Sequence, residues 1–200
     1  MASINYATKE INCKLVYYGP GLCGKTTNLQ YIHQQSRLNK CGELVSLATP
    51  GERTLYFDFL PVEMAAINDF KLKFGLYTVP GQVLYNATRK LVLRGADGII
   101  FVADSQWDLM QENLDSLENL QENLSNYNMT LDGLPYVLQY NKRDLPDVAP
   151  LWYLDYLLNP GGVPTIEAVA PEGRGVYESL NALARYVIRD LVHKFESGSF

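Results

Sequence analysis

From Ile99 to Ala103, the run Gly98-Ile-Ile-Phe-Val-Ala-Asp104 is apolar at every position. A strand turns alternate side chains to opposite faces, so a run that is apolar on both belongs at the centre of a sheet covered on both sides. Around it, short β-branched or aromatic runs alternate with longer segments of helical period, the order that parallel βαβ units produce. The spacing predicts strands over 13–18, 44–47, 54–60, 70–79, 98–104, 135–140 and 165–169. Helices are expected over 109–124, with Met110, Leu114, Leu117 and Leu124 in one stripe, and over 176–192, where Val176, Leu180, Leu183, Ala184, Val187 and Leu191 keep core-facing spacing. The stretch 61–69 is too short for a crossover helix, which predicts an antiparallel hairpin between strands 54–60 and 70–79. The expectation is an α/β three-layer sandwich, mainly parallel with one antiparallel hairpin. No repeat or Pro/Ser-rich linker divides residues 1–200, so a single domain is expected, with the last few residues as a tail.

A chain of 200 residues that is 47% hydrophobic and 20% charged has globular composition, which excludes a disordered or low-complexity chain. Its net charge of -5 argues against a nonspecific grip on nucleic acid or anionic lipid, so any phosphate must be bound locally. Cys13, Cys23 and Cys41 are odd in number and lack metal-ligand spacing, which points to a reducing compartment. No apolar stretch approaches the ~18 residues of a membrane span, and no basic and apolar leader opens the chain. Position 2 is Ala, and the end Glu196-Ser-Gly-Ser-Phe200 has no prenylation cysteine. A cytoplasmic protein without a lipid anchor is the expectation.

Local phosphate binding has a clear candidate. Gly19-Pro-Gly-Leu-Cys-Gly24-Lys25-Thr26 matches G-x-x-x-x-G-K-[ST], and it follows a predicted strand and opens a helical segment. Successive backbone N–H groups can wrap a diphosphate only where no Cβ intrudes, hence the glycines; Lys25 supplies a charge to the β/γ-phosphates and the Thr26 hydroxyl a ligand to Mg²⁺. The candidate phosphate contacts are Gly19, Gly21, Leu22, Cys23, Gly24, Lys25, Thr26 and Thr27. Asn141-Lys142-Arg143-Asp144 ends a later predicted strand, where ligands bind in open α/β sheets. A carboxylate there accepts both N1–H and the exocyclic N2–H₂ of guanine, a donor pair that adenine lacks, so Asp144 is expected to read the base. Ala170, in the small-residue loop after strand 165–169, would offer its amide to the guanine O6. Nucleotide and metal are therefore expected to be GTP or GDP with Mg²⁺.

With these motifs in this order, the chain resembles the Ras-like small GTPases from Glu10 to Lys194. Arg53-Thr54-Leu-Tyr-Phe-Asp58-Phe, Tyr77-Thr78-Val-Pro-Gly81-Gln82 and Val102-Ala-Asp-Ser105 are similar to the bacterial gliding-motility and polarity GTPase family, MglA. The resemblance implies a Ras-like G domain and a GDP/GTP switch, with Thr54 closing over Mg²⁺ and the γ-phosphate as the switch I residue. Gly81 and Gln82 would be switch II residues, Gln82 orienting the attacking water. Arg53, beside Thr54, is expected to act as an arginine finger supplied within the chain, the alternative being a solvated loop Arg paired with Glu52. The family's partner is MglB, a Roadblock/LC7-type dimer, and a similar activator is implied, with polarity or motility effectors beyond it and recruitment to a cell pole through partners.

One position departs from the Ras-like pattern. Switch II commonly carries Asp where this chain has Thr78. A hydroxyl cannot supply a carboxylate's charge, and Asp58, four residues past Thr54 in an otherwise apolar strand, is the candidate to serve Mg²⁺ through a water. On this reading Asp58 is otherwise unpaired, so its removal should cost the fold little; the alternative is an outward-facing Asp on an edge strand. Two other functions compete with a hydrolysing switch: a P-loop ATPase or small-molecule kinase, which leaves Asn141–Asp144 without a purpose, and a nucleotide-loaded scaffold with little hydrolysis, against which the presence of Gln82 counts.

Overall fold

The computed structural model describes residues 2–35, 42–49, 53–67, 69–81 and 85–197. Its strands are β1 (Ser3–Asn5), β2 (Glu10–Tyr18), β3 (Val45–Thr49), β4 (Arg53–Ile67), β5 (Phe70–Thr78), β6 (Gly98–Asp104), β7 (Tyr136–Asn141) and β8 (Thr165–Glu167). The helices are α1 (Lys25–Gln35), α2 (Asn86–Leu93), α3 (Met110–Ser125), α4 (Leu151–Leu158) and α5 (Val176–Ser197). One sheet runs in the order β3-β4-β5-β2-β6-β7-β8, with β1 paired on β2. The β2–β5, β2–β6, β6–β7 and β7–β8 pairs are parallel. This is the α/β sandwich that the sequence implies.

The central strands are buried on both faces, as an all-apolar run demands: every residue of β6 and of β7 is buried. Along β6, Ile100 and Val102 join a core under α1 and α5, whereas Ile99, Phe101 and Ala103 join a second core under α2, α3 and α4. Of the expected α3 stripe, Met110, Leu117 and Leu124 are buried and Leu114 is half-buried, with Leu120, outside that stripe, buried as well; in α5, Val176, Leu180, Leu183, Ala184, Val187 and Leu191 are all buried. The eight-residue helices α2 and α4 and the short β1 were not foreseen. In α4, Leu-Trp-Tyr-Leu-Asp-Tyr-Leu-Leu has almost no polar face, and so no periodicity to read.

The β4–β5 hairpin is present, but the stretch 61–69 is not its connection. Strand β4 continues to Ile67 and β5 begins at Phe70, with Asp69 just before it at φ +67°. Pro61, expected to open the connection, sits inside β4 opposite Gly75. Its carbonyl accepts from the Gly42 N–H (3.0 Å). In an antiparallel strand N and O of one residue point the same way, so the missing Pro61 N–H faces the side beyond the end of β3 and removes no bond to β5. Strands β3 and β1 add two antiparallel pairings beyond the hairpin.

Candidate functional site

The winding of the sheet reverses at β2, with β5 on one side and β6 on the other, and the crevice beyond strand carboxyl ends at such a point is where α/β sheets bind ligands. Gly19 leaves β2 into that crevice. It adopts φ +144°, and a Cβ on it would run into the Val102 carbonyl of β6; Gly24, at φ +102°, leaves no room for a Cβ beside the Asn141 amide. Both positions therefore require glycine, and the loop bends tightly enough to aim the first turn of α1, which opens at Lys25, at the crevice.

Lys25 is 5% exposed, and its ammonium donates to the carbonyls of Gly19 (3.1 Å) and Pro20 (2.5 Å). Burial pushes it below its ordinary value, and the neighbouring Arg89 cation pushes the same way. A phosphate at this point would supply the negative charge that both effects call for. Cys23 is buried, Leu22 stands out to solvent at φ +59°, and Thr27 is half-buried on the first turn of α1.

Three sequence-distant groups meet beside the loop. The Thr26 hydroxyl donates to Asp58 Oδ2 (2.6 Å), the Thr78 hydroxyl donates to the same oxygen (2.8 Å), and the Asp58 N–H donates to Thr78 Oγ1 (2.8 Å). Asp58 is fully buried, so the solvated edge reading fails. So does the expectation that its removal is cheap: two hydroxyls donate to it, and a buried donor left short of its acceptor costs about 1–3 kcal/mol. Hydroxyl and carboxylate oxygens together are the hard donors that Mg²⁺ prefers. Among the described residues no group of three or more His, Cys, Asp and Glu converges, so such an ion would rest on hydroxyls, one carboxylate and phosphate oxygens.

Gly81 closes the site from the other side. A Cβ added to it would strike the Gly21 backbone and Pro20 O, whereas Gly21 itself has only the Gly81 carbonyl 3.8 Å from its Cβ position. The chain after β5 can approach the phosphate loop this closely only because position 81 is glycine. Gln82 lies outside the described residues. Arg53 and Thr54 open β4, opposite Thr49 and Ala48, in a ladder with β3; strand rise puts Thr54 about 13 Å along β4 from Asp58.

On the β7 side, the Asn141 amide donates to Cys23 O (2.7 Å) and its Oδ1 accepts the Ala170 N–H (3.0 Å). One side chain thus clips the phosphate loop, β7 and the loop after β8 together. The Ala170 N–H, expected to face the guanine O6, is donated here to Asn141. Lys142 adopts φ +65° and pairs with Asp104 at the end of β6 (2.6 Å). Asp144 is exposed at the mouth of the crevice. Sequence reasoning did not anticipate Asp104 as the partner of Lys142, although Asp104 ends the apolar run that defines the sheet.

A glycine-lined phosphate loop at the sheet's reversal point, a strand-end Asn-Lys-x-Asp beside it and a switch strand reaching the first helix define a P-loop nucleotide-binding domain of the Ras-like kind. No protein-family model matches the chain. It is, however, 53% identical over 191 residues, 96% of its length and 98% of the relative's, to the mutual gliding-motility protein MglA of Myxococcus xanthus (strain DK1622). The chain belongs to the MglA family of Ras-like small GTPases. No helix among the described residues is long and apolar enough to cross a membrane.

Proposed function

We propose that the protein is a GTP-hydrolysing switch whose state is read by a bacterial motility or polarity machinery. The observation that carries this reading is the Thr26–Asp58–Thr78 cluster, which ties the phosphate loop to both strands of the β4–β5 hairpin. Whatever binds at Thr26 is thereby felt along β4, where Arg53 and Thr54 sit. Asp144 accepts the two guanine donors, with Asn141 and Lys142 holding its strand end in place and Ala170 beside the base. The Lys25 ammonium turns from its own loop carbonyls to the β/γ-phosphates, and the backbone N–H groups of Gly19 and of Gly21 to Thr27 wrap them. Mg²⁺ would be held by Thr26 and Thr54, with Asp58 acting through a water; when bound, it neutralises charge on the phosphate oxygens. Gln82 orients the attacking water, Gly81 contacts the γ-phosphate, and Arg53 places its planar fork on the transferring group.

With the fork supplied internally, an activator has only to press the switch loops into register, a task suited to a Roadblock/LC7-type dimer like MglB. The family relationship and the relative's name, a gliding-motility protein, support such a partner, a motility role for the effectors and a cytoplasmic protein recruited by partners, as at a cell pole. Single-turnover hydrolysis of GTP, with and without an MglB-type dimer, tests the reading. Gly21→Val has room at its Cβ and should bind GTP yet block hydrolysis, because its branches reach toward Gly81. Hydrolysis by Gly21→Val at the wild-type rate would overturn the placement of this loop, tighter binding of mant-ATP than mant-GTP would move the protein to the ATPase class, and a wild-type chain that never turns over GTP would leave a nucleotide-loaded scaffold.

A further inference from the structure

Arg89, in α2, is 1% exposed, and among the described residues each partner that its guanidinium bonds to or stacks on is neutral. Its Nε donates to Pro80 O (2.8 Å), Nη2 donates to Gly81 O, and Nη1 donates to Asn119 Oδ1 of α3 (2.9 Å). The guanidinium carbon lies 5.4 Å from the centre of the Tyr18 ring. Burying a permanent cation among neutral partners is costly, and packing alone would favour an aliphatic chain. What the guanidinium provides is direction, since one rigid fork grips the carbonyls of two consecutive residues.

The Pro80–Gly81 peptide is planar and trans. Holding Pro80 O toward Arg89 therefore turns the Gly81 N–H to the opposite side. Gly81 is the residue whose backbone rests on Gly21 and Pro20 of the phosphate loop. The fork is itself braced, because Asn119 Oδ1 also accepts the Tyr18 hydroxyl (2.6 Å), that hydroxyl accepts from the Asn123 amide (3.1 Å), and the same amide donates to Asn86 Oδ1 (2.8 Å). Strand β2, α2 and α3 are tied into one frame behind the start of switch II.

We propose that Arg89 is the positioning residue for Gly81. It holds the Pro80–Gly81 peptide so that the Gly81 N–H faces the γ-phosphate, and it adds a fixed positive charge behind the loop that carries Lys25. Arg89 therefore sets the preference for the triphosphate over the diphosphate and the rate at which the bound triphosphate reacts. The inference rests on the GTP-switch reading above.

Three variants of the full chain test it, each measured for mant-GDP affinity, for GTPγS competition, for single-turnover hydrolysis at saturating GTP and for thermal unfolding. Arg89→Lys keeps the charge but cannot grip both carbonyls. It should hold GDP within about threefold of wild type and lose about tenfold in rate, since a slightly misplaced reacting group costs tenfold to a hundredfold. Arg89→Met should in addition lose about tenfold of the GTPγS-over-GDP preference, an electrostatic contribution that a neutral side chain cannot make. Tyr140→Phe removes a hydroxyl that donates to Asp155 of α4 (2.8 Å), a bond outside the fork and its brace, and should lower the unfolding temperature while leaving preference and rate unchanged. Arg89 variants that behave like Tyr140→Phe would overturn the proposal; if Arg89→Met does not fold, Arg89→Lys decides through its rate. If the wild-type chain binds GTPγS but does not hydrolyse GTP, the switch reading loses its chemistry, and the preference measured in Arg89→Met still judges Arg89.

Discussion

The two halves of the sheet are built differently. From β2 through β6 to β7, parallel strands pair without a register shift, and β6 and β7 match six consecutive residues. This half is also cross-linked by amides: Asn28 of α1 and Gln139 of β7 exchange two hydrogen bonds (2.9 and 3.0 Å), Gln139 donates to Ser179 of α5 (2.9 Å), and Asn141 ties the phosphate loop to Ala170. The β3-β4-β5 half is antiparallel and irregular, with a register shift between Ser46 and Ala48 against β4 and another between Glu63 and Ala65 against β5. The difference suits a division of labour. On the proposed reading, base and diphosphate would meet a frame already assembled, whereas Thr54 and Asp58 ride a strand whose ladder is interrupted on both sides.

Substitutions can break this contrast, beginning with the largest effect. Arg53→Ala and Gln82→Ala should lower activator-stimulated single-turnover hydrolysis by about 10³-fold or more while leaving nucleotide affinity within a few fold, because on the proposed reading both groups would act on the transition state. A matching loss of GTP binding would make them ground-state contacts and blur the division. Asn141→Ala strikes the regular half. It strands the Ala170 N–H and Cys23 O, and at about 1–3 kcal/mol for each buried group it should shift the urea midpoint and weaken GDP and GTP alike. Unequal weakening of the two nucleotides would show that the clip senses the γ-phosphate.

Asp144→Asn offers one acceptor where guanine presents two donors. Guanine affinity should fall about tenfold, about 1.4 kcal/mol, with preference moving toward xanthine nucleotides in a competition assay. Asp58→Asn, a near-isostere, should raise the Mg²⁺ needed for half-maximal hydrolysis about tenfold, in line with losses of water-mediated metal support, while GDP binding without Mg²⁺ stays level. Thr78→Asp alone sets a second carboxylate against Asp58 and should destabilise the fold; in the Asp58→Asn background it should restore part of the metal affinity. A magnesium titration of Asp58→Asn that overlays wild type would leave Asp58 a purely structural acceptor for Thr26 and Thr78.

The sequence by itself determined whatever repeats or clusters locally. The two-faced apolar run of β6, the stripes of α3 and α5, the glycines of the phosphate loop and the Asn141–Asp144 strand end are each read within a few residues, because strand and helix periods and tight turns are short-range constraints. Asp58 was legible as an anomaly, a charge in an apolar strand, but its partners Thr26 and Thr78, 32 and 20 residues away, were not. Nor was the continuation of β4 through Pro61, which depends on β3 ending before it. The exchange between Asn28 and Gln139 spans 111 residues, and Arg89's hold on Gly81 requires α2 to fold back over the segment it follows. A buried polar group is stable only when its partner is delivered to it, and that delivery depends on how the helices pack against the sheet, which no local pattern encodes.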